Sequence, residues 1–130
     1  MVWTLAARCA LSSLTTAVPV SFKDDSVKAV RVHPELFRAL ADVARCYEEV
    51  GARQLIVTSM NDAQHRRGSL HYQGRAFDCR TKDLPFGTAG KRNLRDDIAR
   101  YLGTGWDVIL EDAGGPNEHL HMELEWRDTP

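Results

Sequence analysis

The chain has 130 residues, of which 43% are hydrophobic and 27% are charged, and its formal net charge is −1. This length and composition predict one globular domain over residues 1–130, and the near-neutral charge gives no reason to expect a nucleic acid as a partner. No apolar run reaches the roughly 18 residues that a membrane-spanning helix needs, so no membrane partner is predicted either.

The first 21 residues contain short apolar stretches but lack the features of an export signal. No Lys or Arg precedes the apolar part, and Arg8 interrupts it. A cationic leader followed by an uninterrupted apolar segment is the expected pattern. We therefore predict a folded start to the domain, and synthesis in the cytoplasm without a clear signal peptide.

The next part of the chain predicts a helix followed by two strands. Pro34 suits the first position of a helix, apolar residues then recur at helical spacing, and Gly51 supplies the stop. Residues 54–59 (QLIVTS) are apolar and β-branched, which indicates a buried strand, and residues 75–80 (RAFDCR) suit a second strand. The polar stretch between the two strands, residues 60–70, is expected to form a loop.

The C-terminal part predicts a second helix and a pair of strands. Apolar residues at helical spacing end at Gly103. Residues 106–112 (WDVILED) and 119–125 (HLHMELE) are two predicted strands, and the turn-rich connector at 113–117 indicates a hairpin. The order helix, strand, strand, helix, strand, strand predicts an α+β domain with a mostly antiparallel sheet and two main helices packed on one face.

The last predicted strand divides its side chains between two faces by a period of two. One face is apolar and carries Leu120, Met122, Leu124 and Trp126. The other face is polar and carries His119, His121, Glu123 and Glu125. The apolar face is expected to pack on the core, which leaves two imidazoles about 7 Å apart on the open face.

A second group of candidate ligands lies in the motif SLHYQGRAFD. Gly74 allows the chain to turn sharply or another group to approach closely, so His71 and Asp78 can project toward one point. Together with His121 they provide two imidazoles and one carboxylate, which suit Zn²⁺ and leave the fourth position open, as in a catalytic site. Cys79 is expected on the opposite face of its strand and is not counted as a ligand.

Peptide hydrolysis at such a metal also needs a proton carrier. Glu118 lies three residues before His121, at the junction of the turn and the strand. In a regular strand these two residues would face opposite ways. The role therefore requires an irregular backbone at Asn117 and Glu118, which the preceding Gly-Gly-Pro favours.

The two motifs together resemble the pattern of a known enzyme group. SLHYQGRAFD followed by EHLH is similar to S-x-H-x-x-G-x-A-x-D followed by E-x-x-H in the D-alanyl-D-alanine-type zinc metallopeptidases. This group includes zinc D,D-carboxypeptidases, D,D-dipeptidases and phage L-alanyl-D-glutamate endolysins, and the metal site of the Hedgehog signalling domain is similar. The resemblance extends with less specificity over residues 33–125 and implies a Hedgehog/D,D-peptidase-like fold.

The resemblance also implies roles for individual residues. His71, Asp78 and His121 would bind Zn²⁺. Glu118 would act as the general base toward water and then as the general acid toward the leaving amine. His119 would hydrogen-bond the developing oxyanion or orient the substrate.

Three further residues would bind the substrate. Ser69 would contact its backbone, and Arg66 or Arg67 would bind its carboxylate, because arginine binds carboxylates bidentately. The loop MNDAQHRRG departs from the longer form found in the carboxypeptidases. The choice of arginine and the identity of the cleaved bond therefore stay open.

The implied function is zinc-dependent hydrolysis of peptide bonds in bacterial peptidoglycan stem peptides, of the D,D-carboxypeptidase or endolysin type, in phage-associated lysis of the cell wall. The enzyme would reach the wall after release or on a particle. One alternative is a non-catalytic zinc-binding structural module of a phage tail or capsid, in contact with other particle proteins. Glu118 disfavours it. Another is a D,D-dipeptidase acting on free dipeptides, which the short chain disfavours.

Overall fold

The computed structural model describes residues 18–61 and 74–125 of the chain. Within these ranges the protein is an α+β structure with five strands in one mixed sheet and two helices. The elements in chain order are β1 (Val20–Phe22), α1 (Glu35–Glu49), β2 (Leu55–Ser59), β3 (Ala76–Arg80), α2 (Thr88–Leu102), β4 (Trp106–Glu111) and β5 (His119–Leu124). The predicted α+β class is confirmed.

The sheet has the strand order β1-β2-β3-β5-β4. The pairs β2–β3, β3–β5 and β4–β5 are antiparallel, in agreement with the predicted mostly antiparallel sheet and terminal hairpin, whereas β1 pairs with β2 in parallel. The predicted element order lacked β1 and was therefore incomplete. This strand has only three residues, all exposed, so its sequence shows no alternation that would have revealed it.

Both helices end near the glycines that the sequence indicated, and α1 also begins where it was predicted to begin. Pro34 directly precedes α1, whose apolar face is buried, and Gly51 follows its end with φ +87°. Gly103 ends α2 with φ +83° and donates its backbone N–H to the carbonyl oxygen of Ala99. A positive φ is accessible to glycine at little cost, so the two helices end for the same physical reason.

The core lies between the helices and one face of the sheet. Both helices contribute side chains to the same buried cluster as Val57, Phe77, Leu120 and Met122 of the sheet. Each large side chain that is fully buried in this way contributes roughly 1.5–3 kcal/mol through removal of its apolar surface from water. The apolar face predicted for the last strand is therefore confirmed for Leu120, Met122 and Leu124, which leaves the opposite face of β3 and β5 for polar groups.

Gly74 begins the segment that leads into β3. It is buried, it has φ +66°, and a side chain there would collide with the carbonyl oxygen of Arg31. The backbone N–H of His33 also donates to the carbonyl oxygen of Gly74, at 2.8 Å. The expected close approach at Gly74 is thus present, and it ties the start of β3 to the segment that precedes α1.

Neither helix in the described ranges is long and apolar enough to cross a bilayer.

Candidate functional site

Asp78 and His121 face each other on the two neighbouring strands β3 and β5. They are register partners in the antiparallel ladder, and Nδ1 of His121 lies 2.7 Å from Oδ1 of Asp78. Only 13% of the Asp78 side chain and 11% of the His121 side chain are exposed. Two of the three predicted metal ligands, which are distant in the sequence, are therefore brought together by strand pairing.

The second ring nitrogen of His121 also has a carboxylate partner. Nε2 lies 2.9 Å from Oε1 of Glu123, two residues further along the same face of β5. Burial alone would lower the pKa of His121, but the hydrogen bonds and charges of Asp78 and then Glu123 raise it to about 9. The period of two had placed Glu123 on the face of His121, but Glu123 was not among the predicted site residues.

His119 lies on the same face and next to this pair. Its Nδ1 is 2.8 Å from the carbonyl oxygen of Asn117, and its Nε2 is 3.1 Å from Oε2 of Glu111 and 3.8 Å from Oδ2 of Asp78. Glu111 is its register partner on β4. The ring is therefore held in place between a backbone carbonyl and two carboxylates.

Glu118 has a different set of partners. Its Oε1 accepts hydrogen bonds from Oγ1 of Thr81 and Nζ of Lys91, both at 2.6 Å, and its Oε2 accepts one from the backbone N–H of Gly114 at 2.7 Å. Burial alone would raise the pKa of Glu118, but the bonds from Lys91, Thr81 and Gly114 and the charge of Lys91 lower it to about 2. Among the described residues, none of these partners is a predicted metal ligand.

The connector between β4 and β5 holds Glu118 in this position. Asp112 has φ +48°, and its carboxylate accepts the backbone N–H of Asn117 at 2.8 Å. The backbone N–H of Glu118 in turn donates to the carbonyl oxygen of Gly115 at 3.3 Å. The backbone before β5 is therefore irregular, as the proposed role of Glu118 requires, but it directs the carboxylate toward Lys91 of α2.

A cleft of about 310 Å³ adjoins these groups and is lined in part by Asp78, Glu118 and His119. A bulge in β2 places Ser59 opposite Asp78. Ser59 therefore also lines the cleft. The wall carries three cationic side chains as well: Lys23, Arg80 and Lys82. A second cleft, of about 210 Å³ near Tyr47, contains none of the predicted site residues.

Four of the predicted site residues lie outside the described residues. They are the third proposed ligand and the substrate-binding candidates: His71, Ser69, Arg66 and Arg67. Within residues 18–61 and 74–125, no group of three or more His, Cys, Asp and Glu side chains could hold a metal ion. Asp78 and His121 could supply one oxygen and one nitrogen donor to a site completed from outside these ranges.

Cys79, the neighbour of Asp78, is excluded as a ligand. Its side chain belongs to the buried core cluster, on the helix side of the sheet. Burial raises the pKa of its thiol well above the ordinary value, which disfavours the thiolate that would bind a metal.

A scan of the chain against protein-family models gives no match, and a search of curated proteins gives no significant relative. Any functional conclusion therefore depends on the two sequence motifs and on the geometry of the residues described above.

Proposed function

We propose that this protein is a zinc-dependent peptidase that hydrolyses peptide bonds in bacterial peptidoglycan stem peptides. The observation that supports it most is the direct pairing of Asp78 and His121, whose oxygen and nitrogen atoms lie 2.7 Å apart on a largely buried face. His71, the third proposed ligand, precedes β3 by only a few residues in the sequence. One carboxylate and two imidazoles are a donor set that catalytic zinc sites use.

The surroundings of His121 also fit a metal ligand. A histidine that binds a metal usually donates its other ring N–H to a carboxylate or a carbonyl group, which fixes the orientation of the ring. Glu123 occupies that position at Nε2, so Nδ1 is the nitrogen that would bind Zn²⁺. When bound, zinc would polarise the scissile carbonyl group and lower the pKa of a water molecule.

The proposal includes a Hedgehog/D,D-peptidase-like fold and places the substrate in the cleft beside Asp78. His119 lines that cleft and is oriented by Asn117 and Glu111, so it is placed to hydrogen-bond a carbonyl group of the substrate. Glu118 lines it too and remains the proposed general base. Because its pKa is about 2, Glu118 would become an effective base only when its ion pair with Lys91 opens.

Metal analysis combined with digestion of purified peptidoglycan tests the proposal. We expect about one zinc per chain, release of free amines, and loss of activity on chelation that added Zn²⁺ reverses. His121→Ala and Asp78→Asn should abolish both metal retention and activity, whereas Arg92→Gln, at an exposed position of α2, should preserve both. A chain that retains no zinc and cleaves no peptidoglycan contradicts the proposal.

Mass spectrometry of the products identifies the bond. Release of free D-alanine would indicate a carboxypeptidase, and a new amino terminus on D-glutamate would indicate an endolysin. Full activity of Glu118→Ala would refute the role of Glu118 as the base. In either case we propose that the enzyme acts at the cell wall, after release or on a particle in contact with other phage proteins.

A second candidate function is a non-catalytic zinc-binding module of a phage particle. The ion pair between Glu118 and Lys91 favours it, because this pair stabilises the fold and keeps the carboxylate engaged. Bound zinc without hydrolysis of any peptidoglycan fragment, in wild type and in Lys91→Met alike, would support this candidate over the peptidase.

A further inference from the structure

Three cationic side chains line the cleft beside Asp78 and His119: Lys23, Arg80 and Lys82. Arg80 ends β3, two residues after Asp78, and therefore lies on the same face of that strand. Lys23 follows β1 and donates its backbone N–H to the carbonyl oxygen of Val57. Positively charged side chains from separate parts of the chain therefore line the same cleft.

The described residues provide little negative charge to compensate these cations. Among residues 18–61 and 74–125, Lys23 and Lys82 form no ion pair, and Arg80 has one pair, with Asp83 at 3.8 Å. The two carboxylates of the cleft are already engaged. Asp78 is hydrogen-bonded to His121, and Glu118 is bonded to Lys91.

The cleft is expected to attract an anion, because two of its three cations have no ion-pair partner among the described residues and its carboxylates are engaged. Like charges that share a concave surface focus their field, which raises the local concentration of anionic ligands. Arginine and lysine both bind carboxylates, the former through a bidentate geometry and the latter as a point charge. A peptide substrate carries carboxylates and no stronger anion.

We propose that Lys23, Arg80 and Lys82 bind a carboxylate group of the peptide substrate in this cleft, next to Asp78 and His119. This inference rests on the proposed function and adds a requirement for a negatively charged substrate. None of these three cations belongs to the sequence segment of Arg66 and Arg67. The carboxylate is either the terminal one of the peptide or the α-carboxylate of a γ-linked glutamate within it.

Calorimetric titration of four short peptides into the full chain tests the inference. Acetyl-D-alanyl-D-alanine is compared with its terminal amide, and L-alanyl-γ-D-glutamyl amide with the analogue whose α-carboxylate is also an amide. We expect one carboxylate peptide to bind about 10-fold or more tightly than its own amide, with an affinity that falls as salt rises. The pair that shows the difference identifies which carboxylate is bound.

Substitutions of the cleft cations test whether the difference in affinity between carboxylate and amide peptides arises in this cleft. Lys82→Gln and Arg80→Gln should each weaken binding of the carboxylate peptide about 3- to 10-fold without changing the affinity for the amide. Lys82→Arg should retain the binding, and Arg92→Gln, at an exposed position of α2 that does not line the cleft, serves as the matched control. Equal affinity for carboxylate and amide, equal effects of the variants on both, or no binding of any of the four peptides overturns the inference.

The titrations are made with both metal-free and zinc-loaded protein, which separates the two proposals. Discrimination between carboxylate and amide without zinc uptake or hydrolysis would support the cation site and contradict the peptidase. Zinc-dependent hydrolysis that is equally fast for carboxylate and amide substrates would contradict the cation site and leave the peptidase intact.

Discussion

Nζ of Lys91 lies 2.6 Å from Oε1 of Glu118, and the two side chains are only 12% and 7% exposed. This pair joins the first turn of α2 to the connector between β4 and β5. Thr81, which follows β3, bonds to the same carboxylate oxygen. One carboxylate therefore links a helix, a strand end and a turn, next to the cleft that contains His119 and Asp78.

The first prediction concerns the pH dependence of stability. The folded pKa of Glu118, about 2, lies below its ordinary value of 4.5, so the ionised carboxylate stabilises the fold above pH 4.5. This contribution is lost as the pH falls from 4.5 through 2. We expect Glu118→Gln to lower the free energy of unfolding by about 2 kcal/mol at pH 6, and by progressively less toward pH 2. Urea denaturation of both proteins across this range measures the difference. A difference that does not change with pH would contradict the prediction.

The second prediction concerns the coupling between the two partners. Lys91→Met leaves the largely buried Glu118 without its cation, so it should reduce the free energy of unfolding by about 3 kcal/mol. Adding Glu118→Gln to Lys91→Met should restore part of the loss, because no uncompensated charge then remains. Glu35 and Arg38, an exposed pair at 3.6 Å, provide the control cycle, for which we expect less than about 1 kcal/mol. Additive effects of the two substitutions would contradict the coupling.

The third prediction concerns Glu123 as a positioning residue for His121. Because its carboxylate accepts the hydrogen bond from Nε2, Glu123→Ala should weaken zinc binding about 10- to 100-fold. Glu123→Gln should have a smaller effect, since its amide oxygen still accepts this bond. Competition for zinc with a chromophoric chelator measures the affinity without reference to activity. Glu125→Ala, at the exposed position that follows β5, is the matched control. Equal affinities of Glu123→Ala and Glu125→Ala would exclude the positioning role.

Most of the fold was accessible from local sequence signals. The spacing of apolar residues, together with Pro34, Gly51 and Gly103, predicted both helices, and β-branched or alternating runs predicted four strands. β1 was missed because its stability comes from the parallel ladder with β2, in which Val20 pairs with Leu55, and not from its own three residues. Such a nonlocal contact leaves no periodic signal in a short segment.

The site was predictable only in part. The motif spacing suggested that Asp78 and His121 meet, and their register across β3 and β5 brings them together. The partner of Glu118 was not predicted, because Lys91 lies 27 residues away on a helix whose packing the sequence does not specify. One signal was available: a period of two places Glu118 on the side of Leu120, toward the helices, and away from His121.

The last prediction concerns Gly74, which belongs to the motif SLHYQGRAFD and contacts the segment before α1. A methyl group at this position would collide with the carbonyl oxygen of Arg31, and the residue also has φ +66°. Gly74→Ala should therefore lower the free energy of unfolding by roughly 2–4 kcal/mol, from backbone strain and from displacement of the segment before α1. Gly51→Ala is the control, because Gly51 has φ +87° with no atom within 4 Å of the added carbon, so only the strain of about 1 kcal/mol is expected. Thermal and urea denaturation measure both. If the two substitutions cost the same, the contact with Arg31 does not constrain the entry to β3, and the position of Asp78 is determined by strand pairing alone.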